Sequence, residues 1–373
     1  MQFIDLKTQY LRLKDEIDAG IRDVLDHTAF IMGDKVAALE ERLGAFCGAK
    51  HAISCSSGTD ALLMPLMAWG IGPGDAVFVP TFSFFATAEV VGLVGATPVF
   101  VDISPDTFNM DPEALRAAIQ RVRAQGVLKP RAMIPVDLFG HSADYDALTP
   151  LAREQGLLLL EDAAQGFGAT YHGARAGSFG NAAATSFFPA KPLGCYGDGG
   201  AVFTNDDQTA ALLRSIRVHG QGTDKYDNER LGINGRLDAM QAVVLLAKLG
   251  VFEEEIARRN EVAQTYNRLL GGAVVTPTVR EGCVSTWAQY SVLCRDSAHR
   301  DRVRAALQSK GIPSMVYYAI PLHIQKAFAA LGGRHGQCPV AEEASNRILS
   351  LPMHAYLRDN EIQQIADAVL SAG

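Results

Sequence analysis

The chain has 373 residues, of which 48% are hydrophobic and 20% are charged, and its net charge is −7 at pH 7. This length favours two domains, and the apolar fraction excludes an intrinsically disordered chain. The negative charge argues against non-specific binding to nucleic acid or to an anionic membrane surface.

The N-terminus lacks the basic and apolar regions of a signal peptide, and no apolar run reaches the length of a membrane span. We therefore expect a cytoplasmic protein without membrane or nucleic-acid partners. The six cysteines lie apart, without the spacing of zinc ligands. No metal is expected, and reduced thiols are predicted at Cys47, Cys55, Cys195, Cys283, Cys294 and Cys338.

Apolar residues at helical spacing predict two N-terminal helices, around Ile17 and Leu39. Seven short β-rich runs then alternate with helical runs, at residues 51–55, 76–79, 98–102, 133–138, 157–162, 184–188 and 201–204. Several lack polar alternation, as expected for strands covered on both faces. The pattern predicts an α/β domain with a central, mostly parallel seven-stranded sheet. Gly199 and Gly200 permit a tight turn, which favours an antiparallel last strand.

The residue pattern changes near Arg236 from short β-rich runs to helical spacing, and this long helical region continues to Leu270. After Gly271, strands predicted at 286–293 and 314–318 and helices at 300–310 and 360–371 indicate a smaller α+β domain. We expect a large domain over residues 1–250, which includes the N-terminal helices. The small C-terminal domain then covers residues 251–373, with the long helix as connector.

The segment from Ser56 to Asp60 follows a predicted strand and opens a helix. Its small residues allow a ligand to approach the backbone, and a helix N-terminus offers free N–H groups and a positive dipole end. Both features suit a phosphate. The alternative is an ordinary helix N-cap, because Ser, Thr and Asp are common there.

Asp162 ends the apolar run at 157–160, which places a carboxylate at the mouth of a buried strand. Such a charge is costly unless something positive meets it. One interpretation is a counter-charge for a protonated pyridine nitrogen, with Gln165 bonded to the same ligand. The alternative is a helix cap or a buried ion pair.

Lys191 lies in a loop with Pro189 and Pro192 on either side of Ala190 and Lys191. The two prolines disfavour a helix interior and favour a rigid, extended loop. A lysine held and desolvated in this way has a lowered pKa, which exposes the free amine that Schiff-base chemistry needs. Ser186, just before this loop, is a second candidate phosphate contact.

An aromatic segment at 81–87 follows the predicted strand at 76–79, and one of its phenylalanines is placed to stack on a flat cofactor. The alternative for any single phenylalanine is core packing. Taken together and in this order, the phosphate loop, the aromatic residue, the acidic strand end and the lysine loop match what pyridoxal phosphate needs. The lysine binds the cofactor, and the aspartate keeps its ring nitrogen protonated, so that the ring acts as an electron sink.

These residues resemble the DegT/DnrJ/EryC1/StrS aminotransferases, fold-type I pyridoxal-phosphate enzymes that act on nucleotide-linked keto sugars. The resemblance covers essentially the whole chain. Its motifs are Ser-Gly-Thr-Asp-Ala-Leu (57–62), Glu-Asp-Ala-Ala-Gln (161–165), Ser-Phe-Phe-Pro-Ala-Lys (186–191), Gly-Asp-Gly-Gly-Ala (197–201) and Asn-Gly-Arg-Leu-Asp (234–238).

The resemblance implies that Lys191 is the Schiff-base lysine and proton shuttle, and that Asp162 pairs with the ring nitrogen. It places Gln165 near the ring hydroxyl and Phe84 in the stacking position. The phosphate contacts that it implies are Gly58, Thr59 and Ser186. Asn234 reaches the phosphate of the cofactor in the other subunit, which implies a homodimer with sites at the interface. The alternative for Asn234 is a plain loop before a helix.

The resemblance also implies the reaction. Glutamate donates its amino group and leaves as a keto acid, and a nucleotide-linked keto sugar then takes up the group to become an amino sugar. Lys191 serves as nucleophile and as general acid and base. Such products enter glycan assembly, as in lipopolysaccharide, or antibiotics.

The segment at 317–323 is similar to a motif of enzymes that aminate carbon 3, although Ala319 replaces the usual proline. The lysine loop is closest to enzymes acting on UDP-linked 2-acetamido-2-deoxy-3-oxo-glucuronate. Candidate substrate residues are therefore Arg236, for the carboxylate, and Tyr317, Tyr318 and His323. The alternative for Arg236 is an ion pair with Asp238 or Glu229. Alternative substrates are a dTDP-linked 3-oxo-6-deoxyhexose or a 4-keto sugar.

Two other classes of protein agree less well with the sequence. A related dehydratase branch has histidine where Lys191 stands, and a pyridoxal-phosphate-binding regulator would need a basic DNA-binding module that the acidic chain lacks. The nucleotide phosphates have four candidate cationic partners, none distinguishable from surface charge: Arg217, His219, Lys225 and Arg230.

Overall fold

The computed structural model describes residues 1–224 and 226–373. Its strands are β1 (His51–Cys55), β2 (Asp75–Pro80), β3 (Thr97–Val101), β4 (Lys129–Met133), β5 (Leu158–Asp162), β6 (Thr170–Tyr171), β7 (Ala174–Arg175), β8 (Ala182–Ser186), β9 (Gly200–Thr204), β10 (Cys283–Val284), β11 (Tyr290–Leu293) and β12 (Ile348–Leu351).

The helices begin with the two that the N-terminal periodicity predicts. They are α1 (Leu6–His27), α2 (Asp34–Cys47), α3 (Gly58–Ala68), α4 (Ala86–Leu93), α5 (Pro112–Gln125), α6 (Tyr145–Gln155), α7 (Asp207–Ile216), α8 (Ala239–Leu249), α9 (Phe252–Leu270), α10 (Ser297–Ser309), α11 (Pro339–Arg347) and α12 (Asp359–Leu370). Short 3-10 turns lie at Leu138–Gly140, Leu322–Ile324 and Lys326–Leu331.

The central sheet has seven strands in the order β1-β9-β8-β5-β4-β2-β3, which confirms the predicted α/β architecture. The pairs from β8 through β5, β4 and β2 to β3 are parallel. β9 runs antiparallel to both β1 and β8, as the paired glycines before it suggest. Helices cover both faces, so the strands are buried on both sides.

The fourth predicted strand, at 133–138, is wrong in position, because β4 is Lys129–Met133. After Met133 the segment keeps only isolated pairing with the sheet, such as the bridge from Val136 to Asp162, and Val136 and Leu138 are buried in a cluster with Phe82 and Ile348. The predicted strand at 184–188 likewise ends at Ser186, and Phe187 then packs into the core. Burial outside a strand produced the same apolar run as burial within one.

The C-terminal region has its own apolar core, whose buried members run from Val262 to Ala372. Its two-stranded sheet pairs β11 with β12. Neither β12 nor α11 was predicted from the sequence. The predicted strand at 314–318 is wrong, since in the described chain only Met315 pairs, in an isolated bridge to Ser350. The longer predicted strand at 286–293 is reduced to Tyr290–Leu293.

The long helical region is two helices, which meet at Gly250 and Val251. The first turns of α9 place Phe252 and Ile256 in the core of the sheet domain, whereas Tyr266 and Leu270 belong to the C-terminal core. α9 therefore contributes side chains to both cores. The division at residue 250 stays a prediction.

Within residues 1–224 and 226–373, no helix combines the length and the apolar character that a membrane span requires. No group of His, Cys, Asp and Glu in these residues is arranged to hold a metal ion.

Candidate active site

A cavity of about 740 Å³ opens where strands β1, β2, β5 and β8 end. Loops that follow a parallel sheet gather ligands at this edge. Nine of the twelve predicted site residues line the cavity: Gly58, Thr59, Phe84, Asp162, Gln165, Ser186, Lys191, Tyr317 and Tyr318. The other three, Asn234, Arg236 and His323, lie outside it.

The phosphate loop joins β1 to α3, and Ser57 is the helix N-cap, since its Oγ accepts a hydrogen bond from the Asp60 N–H at 3.0 Å. The N-cap alternative is thus correct for Ser57. It leaves the phosphate interpretation open, because the first N–H groups of a helix have no partner within it. Those of Gly58 and Thr59 belong to the first turn, where the helix dipole is positive.

Gly58 is pressed against Ser186 at the end of β8. A Cβ atom at Gly58 would lie 2.5 Å from Ser186 Cβ, a separation that side chains do not adopt. A Cβ at Gly200 would meet the Ser57 carbonyl oxygen at 2.4 Å. Glycine at both positions lets the helix start, the β8 end and the β9 start converge on one small cradle.

Asp162 ends β5 with only 4% of its surface exposed. Its carboxylate accepts hydrogen bonds from Thr87 Oγ1 at 2.8 Å and from the Ala164 N–H at 3.2 Å. Burial raises the pKa of Asp162, while these bonds and the nearby Lys191 ammonium lower it. Two neutral donors do not offset a buried charge, so the carboxylate favours a cation in the cavity.

Lys191 sits at the tip of a loop that folds back on itself. The Lys191 N–H donates to the Phe188 carbonyl at 2.8 Å, and the Cys195 N–H donates to the Phe187 carbonyl at 2.8 Å. Burial lowers the pKa of Lys191, and Asp162 opposes that shift. The loop thus presents an amine that loses its proton more readily than a solvated lysine.

Gln165 links two segments of the cavity wall that are distant in sequence. Its Oε1 accepts from the Phe139 N–H at 2.7 Å, which leaves Nε2 to donate to the Tyr318 hydroxyl at 2.9 Å. Burial raises the pKa of Tyr318 well above its ordinary value, so this phenol stays protonated. Because its oxygen accepts from Gln165, its own proton is free to point toward a ligand.

Both interpretations of the aromatic segment at 81–87 apply, each to a different phenylalanine. Phe84 lines the cavity with 56% of its surface exposed, whereas Phe82 is buried against Phe108 and Phe139. Phe85 stacks on Phe328 at 5.2 Å between ring centres. Core packing is therefore correct for Phe82, and within this segment Phe84 is the exposed ring that could stack on a cofactor.

His323 does not reach the cavity, which corrects its assignment as a substrate residue. Its Nδ1 lies 2.7 Å from Thr81 Oγ1 and its Nε2 lies 3.1 Å from Glu342 Oε1, so both ring nitrogens are engaged within the protein. The side chain is fully buried, and burial lowers its pKa. His323 anchors the turn below Leu322, which itself lines the cavity.

Asn234 and Arg236 flank Gly235, whose carbonyl accepts a hydrogen bond from the Ser56 N–H at 3.1 Å. Their loop therefore lies beside the phosphate loop, yet neither side chain lines the cavity of its own chain. Among the described residues, Arg236 forms no ion pair with Asp238 or Glu229. The action of this loop in a second subunit stays a prediction.

The candidate nucleotide-binding cations are not equivalent. Arg217 is buried, where it pairs with Glu40 and donates to the Ser54 carbonyl at 2.9 Å, so it is not available to a nucleotide. Arg230 pairs with Glu229 at 2.7 Å, and His219 is exposed. Lys225 lies outside the described residues.

Polar cavity residues that were not predicted as site residues include Thr87, Asp198 and Gln289. Thr87 donates a hydrogen bond to the Asp162 carboxylate, and the Ser83 hydroxyl lies 3.0 Å from the Thr87 hydroxyl. Its signal was present, because Ser83 and Thr87 are four residues apart around the start of α4. Nothing local indicated that they face Asp162, which is 75 positions away.

The family profile of the DegT/DnrJ/EryC1/StrS aminotransferases matches residues 12–370. The chain belongs to this family. Its fold-type I architecture and its place among transaminases follow from that match, and they confirm the expectations drawn from the motifs.

Two relatives align over nearly their whole length. The UDP-2-acetamido-2-deoxy-3-oxo-D-glucuronate aminotransferase of Pseudomonas aeruginosa is 48% identical over 99% of both chains. A UDP-N-acetyl-3-dehydro-alpha-D-glucosamine 3-aminotransferase of Acidithiobacillus ferrooxidans is 42% identical over 98% of this chain and 96% of its own.

Two solved structures support the same fold. A DegT DnrJ EryC1 StrS aminotransferase from Brucella abortus is 50% identical, with a TM-score of 0.97 over 100% of this chain and 99% of its own. NtdA from Bacillus subtilis, solved with bound pyridoxamine phosphate, is 26% identical. Its TM-score is 0.89 over 99% of this chain and 83% of its own.

The family depends on pyridoxal phosphate, and the residues of the cavity fit that group. Lys191 supplies an amine of lowered pKa, and Asp162 supplies a buried carboxylate that favours a cation. Gly58 leaves, beside Ser186, a space that any side chain would fill. Amine, anion and cradle match the aldehyde, ring nitrogen and phosphate of the cofactor.

Proposed function

We propose that this chain transfers an amino group from glutamate to carbon 3 of UDP-2-acetamido-2-deoxy-3-oxo-glucuronate. It works in the cytoplasm as a homodimer with pyridoxal phosphate bound at Lys191. The observation that carries the proposal is the meeting of Lys191, Asp162 and the Gly58 cradle in one cavity.

The bound cofactor supplies a protonated ring that withdraws electrons from the carbon undergoing proton transfer. Asp162 holds the proton on the ring nitrogen, because a buried carboxylate stabilises a cation at its side. Gly58, Thr59 and Ser186 hold the phosphate at the positive end of α3. Gln165 donates its remaining amide hydrogen to the ring hydroxyl, and Phe84 covers one ring face.

Lys191 has two tasks, and both require its free amine. Its amine would bind the cofactor covalently and, once free, would accept and return the proton of the donor's α-carbon. The lowered pKa of Lys191 supports this role, because a larger fraction of the side chain is neutral near pH 7.

The choice of a UDP-linked 3-keto sugar is supported by the names of the two relatives, both of which act on such compounds. Tyr317 and Tyr318 line the cavity, and we assign their hydroxyls to the binding of the sugar. Arg236 would meet the uronate carboxylate from the second subunit, because a guanidinium binds a carboxylate through two parallel hydrogen bonds.

A homodimer is supported by the surface around Asn234. Leu231 is almost fully exposed, and Phe30 and Ile31 are exposed where they pair with the backbone of Ala239 and Asp238. Apolar side chains clustered on a surface are typical of a subunit contact. A partner seated there would bring Asn234 to the phosphate site that the sequence motif assigns to it.

The cofactor assignment is tested by borohydride reduction of the purified holoenzyme. We expect one lysine, Lys191, to carry the reduced cofactor in a peptide digest, and Lys191→Ala to carry none. A matched control is Lys50→Ala, at an exposed lysine paired with Asp207, which should leave the adduct unchanged. An adduct that persists in Lys191→Ala contradicts the assignment.

The sugar is tested with the pyridoxamine form of the enzyme. We expect UDP-2-acetamido-2-deoxy-3-oxo-glucuronate to restore the absorption of the pyridoxal form faster than a dTDP-3-oxo-6-deoxyhexose or a 4-keto sugar. Arg236→Lys should slow the uronate about 10-fold or more and the deoxyhexose little. A faster reaction with the 4-keto sugar would overturn the carbon-3 assignment, and equal losses would overturn the role of Arg236.

A further inference from the structure

Lys248 is a fully buried lysine of α8 that has no part in the functions described so far. Its ammonium donates a hydrogen bond to the Gly194 carbonyl at 2.6 Å and lies 4.4 Å from the centre of the Tyr196 ring. Burying a lysine is costly, and a carbonyl and an aromatic face are the groups that offset the cost. The carbonyl of Gly194 and the ring of Tyr196 both belong to the segment that follows Lys191.

The stretch from Pro192 to Tyr196 is the returning half of the Lys191 loop. α8 holds it at a second point, because Gln241, seven residues before Lys248, accepts from the Tyr196 N–H at 2.9 Å. Positions seven residues apart lie on one face of a helix, so α8 presents two polar side chains to one loop. The rest of α8 is strongly apolar, and it buries Val244 and Ala247 against α1.

The turn at Gly194 has no room to adjust. A Cβ atom there would lie 2.5 Å from the Pro189 carbonyl oxygen and 2.7 Å from that of Phe188. The two halves of the loop are therefore in contact through backbone atoms, with Lys191 between them. A force that fixes the Gly194 carbonyl fixes the place of Lys191 as well.

Two ionisable groups face Lys248 from other elements. Burial lowers the pKa of Lys248 to about 8, while Glu255 on α9 and the Cys195 thiol act in the opposite direction. Glu255 is itself buried and accepts two hydrogen bonds from Gln9, at 2.8 and 3.0 Å, and one from Tyr356. The Gly194 carbonyl, the Tyr196 ring and Glu255 all favour the charged form of Lys248.

We propose that Lys248 is a positioning residue, which holds the Gly194 turn and so sets the place of the Lys191 amine in the cavity. The inference rests on the proposal that Lys191 carries the cofactor. It adds that α8 controls how well Lys191 reaches the atoms between which it moves a proton. A displacement of about 1 Å at a reacting group can cost about 100-fold in rate.

The test is Lys248→Met, which keeps the side chain up to the position of Cε and removes the charge and the donor. We expect the variant to bind cofactor and fold, and its half-reaction with saturating L-glutamate to slow at least about 10-fold with KM nearly unchanged. The pH at which the visible absorption of the lysine-bound cofactor titrates should rise, because a nearby cation disfavours protonation of that linkage.

Arg259→Met is the matched control. Arg259 is another buried cation that donates to backbone carbonyls, those of Trp287 and Met353, but it lies outside the Lys191 loop. It should lower the melting temperature and leave the cofactor titration and the half-reaction unchanged. Equal effects in the two variants, or a normal titration and rate in Lys248→Met, would overturn the proposal.

If Lys248→Met does not fold, Tyr196→Leu removes the ring below the ammonium and keeps the Gly194 bond. We expect the same changes at smaller size, and no change would overturn the inference. Failure of the cofactor assignment is recognised separately, since Lys191→Ala would then retain the borohydride adduct whatever Lys248 does.

Discussion

The cavity has two ends that are built in different ways. At the inner end, Asp162, Gln165 and Ser186 are each at most 9% exposed, and each hydrogen-bonds to a neighbouring backbone or side-chain group. At the mouth, Phe84 and Ile320 are at least 50% exposed and offer apolar surface. The groups of the inner end are thus buried and held by hydrogen bonds within the chain, whereas the mouth presents exposed apolar side chains.

The contrast separates chemistry from specificity. Groups that act on the cofactor must be held in position before the substrate arrives, and buried hydrogen bonds to backbone do this. Groups that bind a sugar nucleotide can stay exposed to solvent until the ligand itself covers them. We therefore expect substitutions at the inner end to change the rate constants strongly, and those at the mouth to change affinity modestly.

Asp162→Asn should have the largest effect. The amide keeps the shape of the side chain but no longer holds the proton of the ring nitrogen, so kcat should fall about 100- to 1000-fold. The measurement is the single-turnover rate with glutamate. Thr87→Val is its control, because it removes one hydrogen bond and keeps the charge, and it should cost much less. Equal losses would attribute the effect to hydrogen bonding.

Gly58→Ala should weaken cofactor binding about 10- to 100-fold, which corresponds to about 1–3 kcal/mol of steric strain. The new Cβ would meet Ser186 in the phosphate cradle. Equilibrium dialysis of the apoenzyme with cofactor measures this change. Gly92→Ala is the control, since Gly92 is an exposed glycine of α4 with no atom within 4 Å of its added Cβ. Unchanged affinity in Gly58→Ala would contradict the cradle.

Phe84→Leu should have the smallest effect, a loss of about two- to tenfold in cofactor affinity, because one stacking contact contributes about 0.5–1.5 kcal/mol. Phe82→Leu, two residues earlier, is the control from the core. It should lower the melting temperature and leave cofactor affinity unchanged. If Phe84→Leu removed activity altogether, the mouth would belong to the chemistry, and the comparison of the two ends would fail.

Much of the inner end was predictable because its signals are local. Lys191 between two prolines, Asp162 after an apolar run and Gly58 before a helix each show their chemistry within about ten residues. The strand order was not predictable in this way, and neither was β12, since its apolar residues also fit a helix or a buried loop. A local pattern of apolar residues indicates that a segment is buried, but the residues that bury it lie elsewhere in the chain.

The sequence by itself indicated the candidate groups for a cofactor that the cavity brings together, because an amine, a carboxylate and a glycine cradle are properties of residue type and nearest neighbours. The tertiary structure alone decided which polar residues face the cavity. It turned His323 away, bound Arg217 to Glu40, joined Gln165 to Tyr318 across 153 positions and set Lys248 against Gly194. A hydrogen bond depends on distance in space, and the packing of the elements sets that distance.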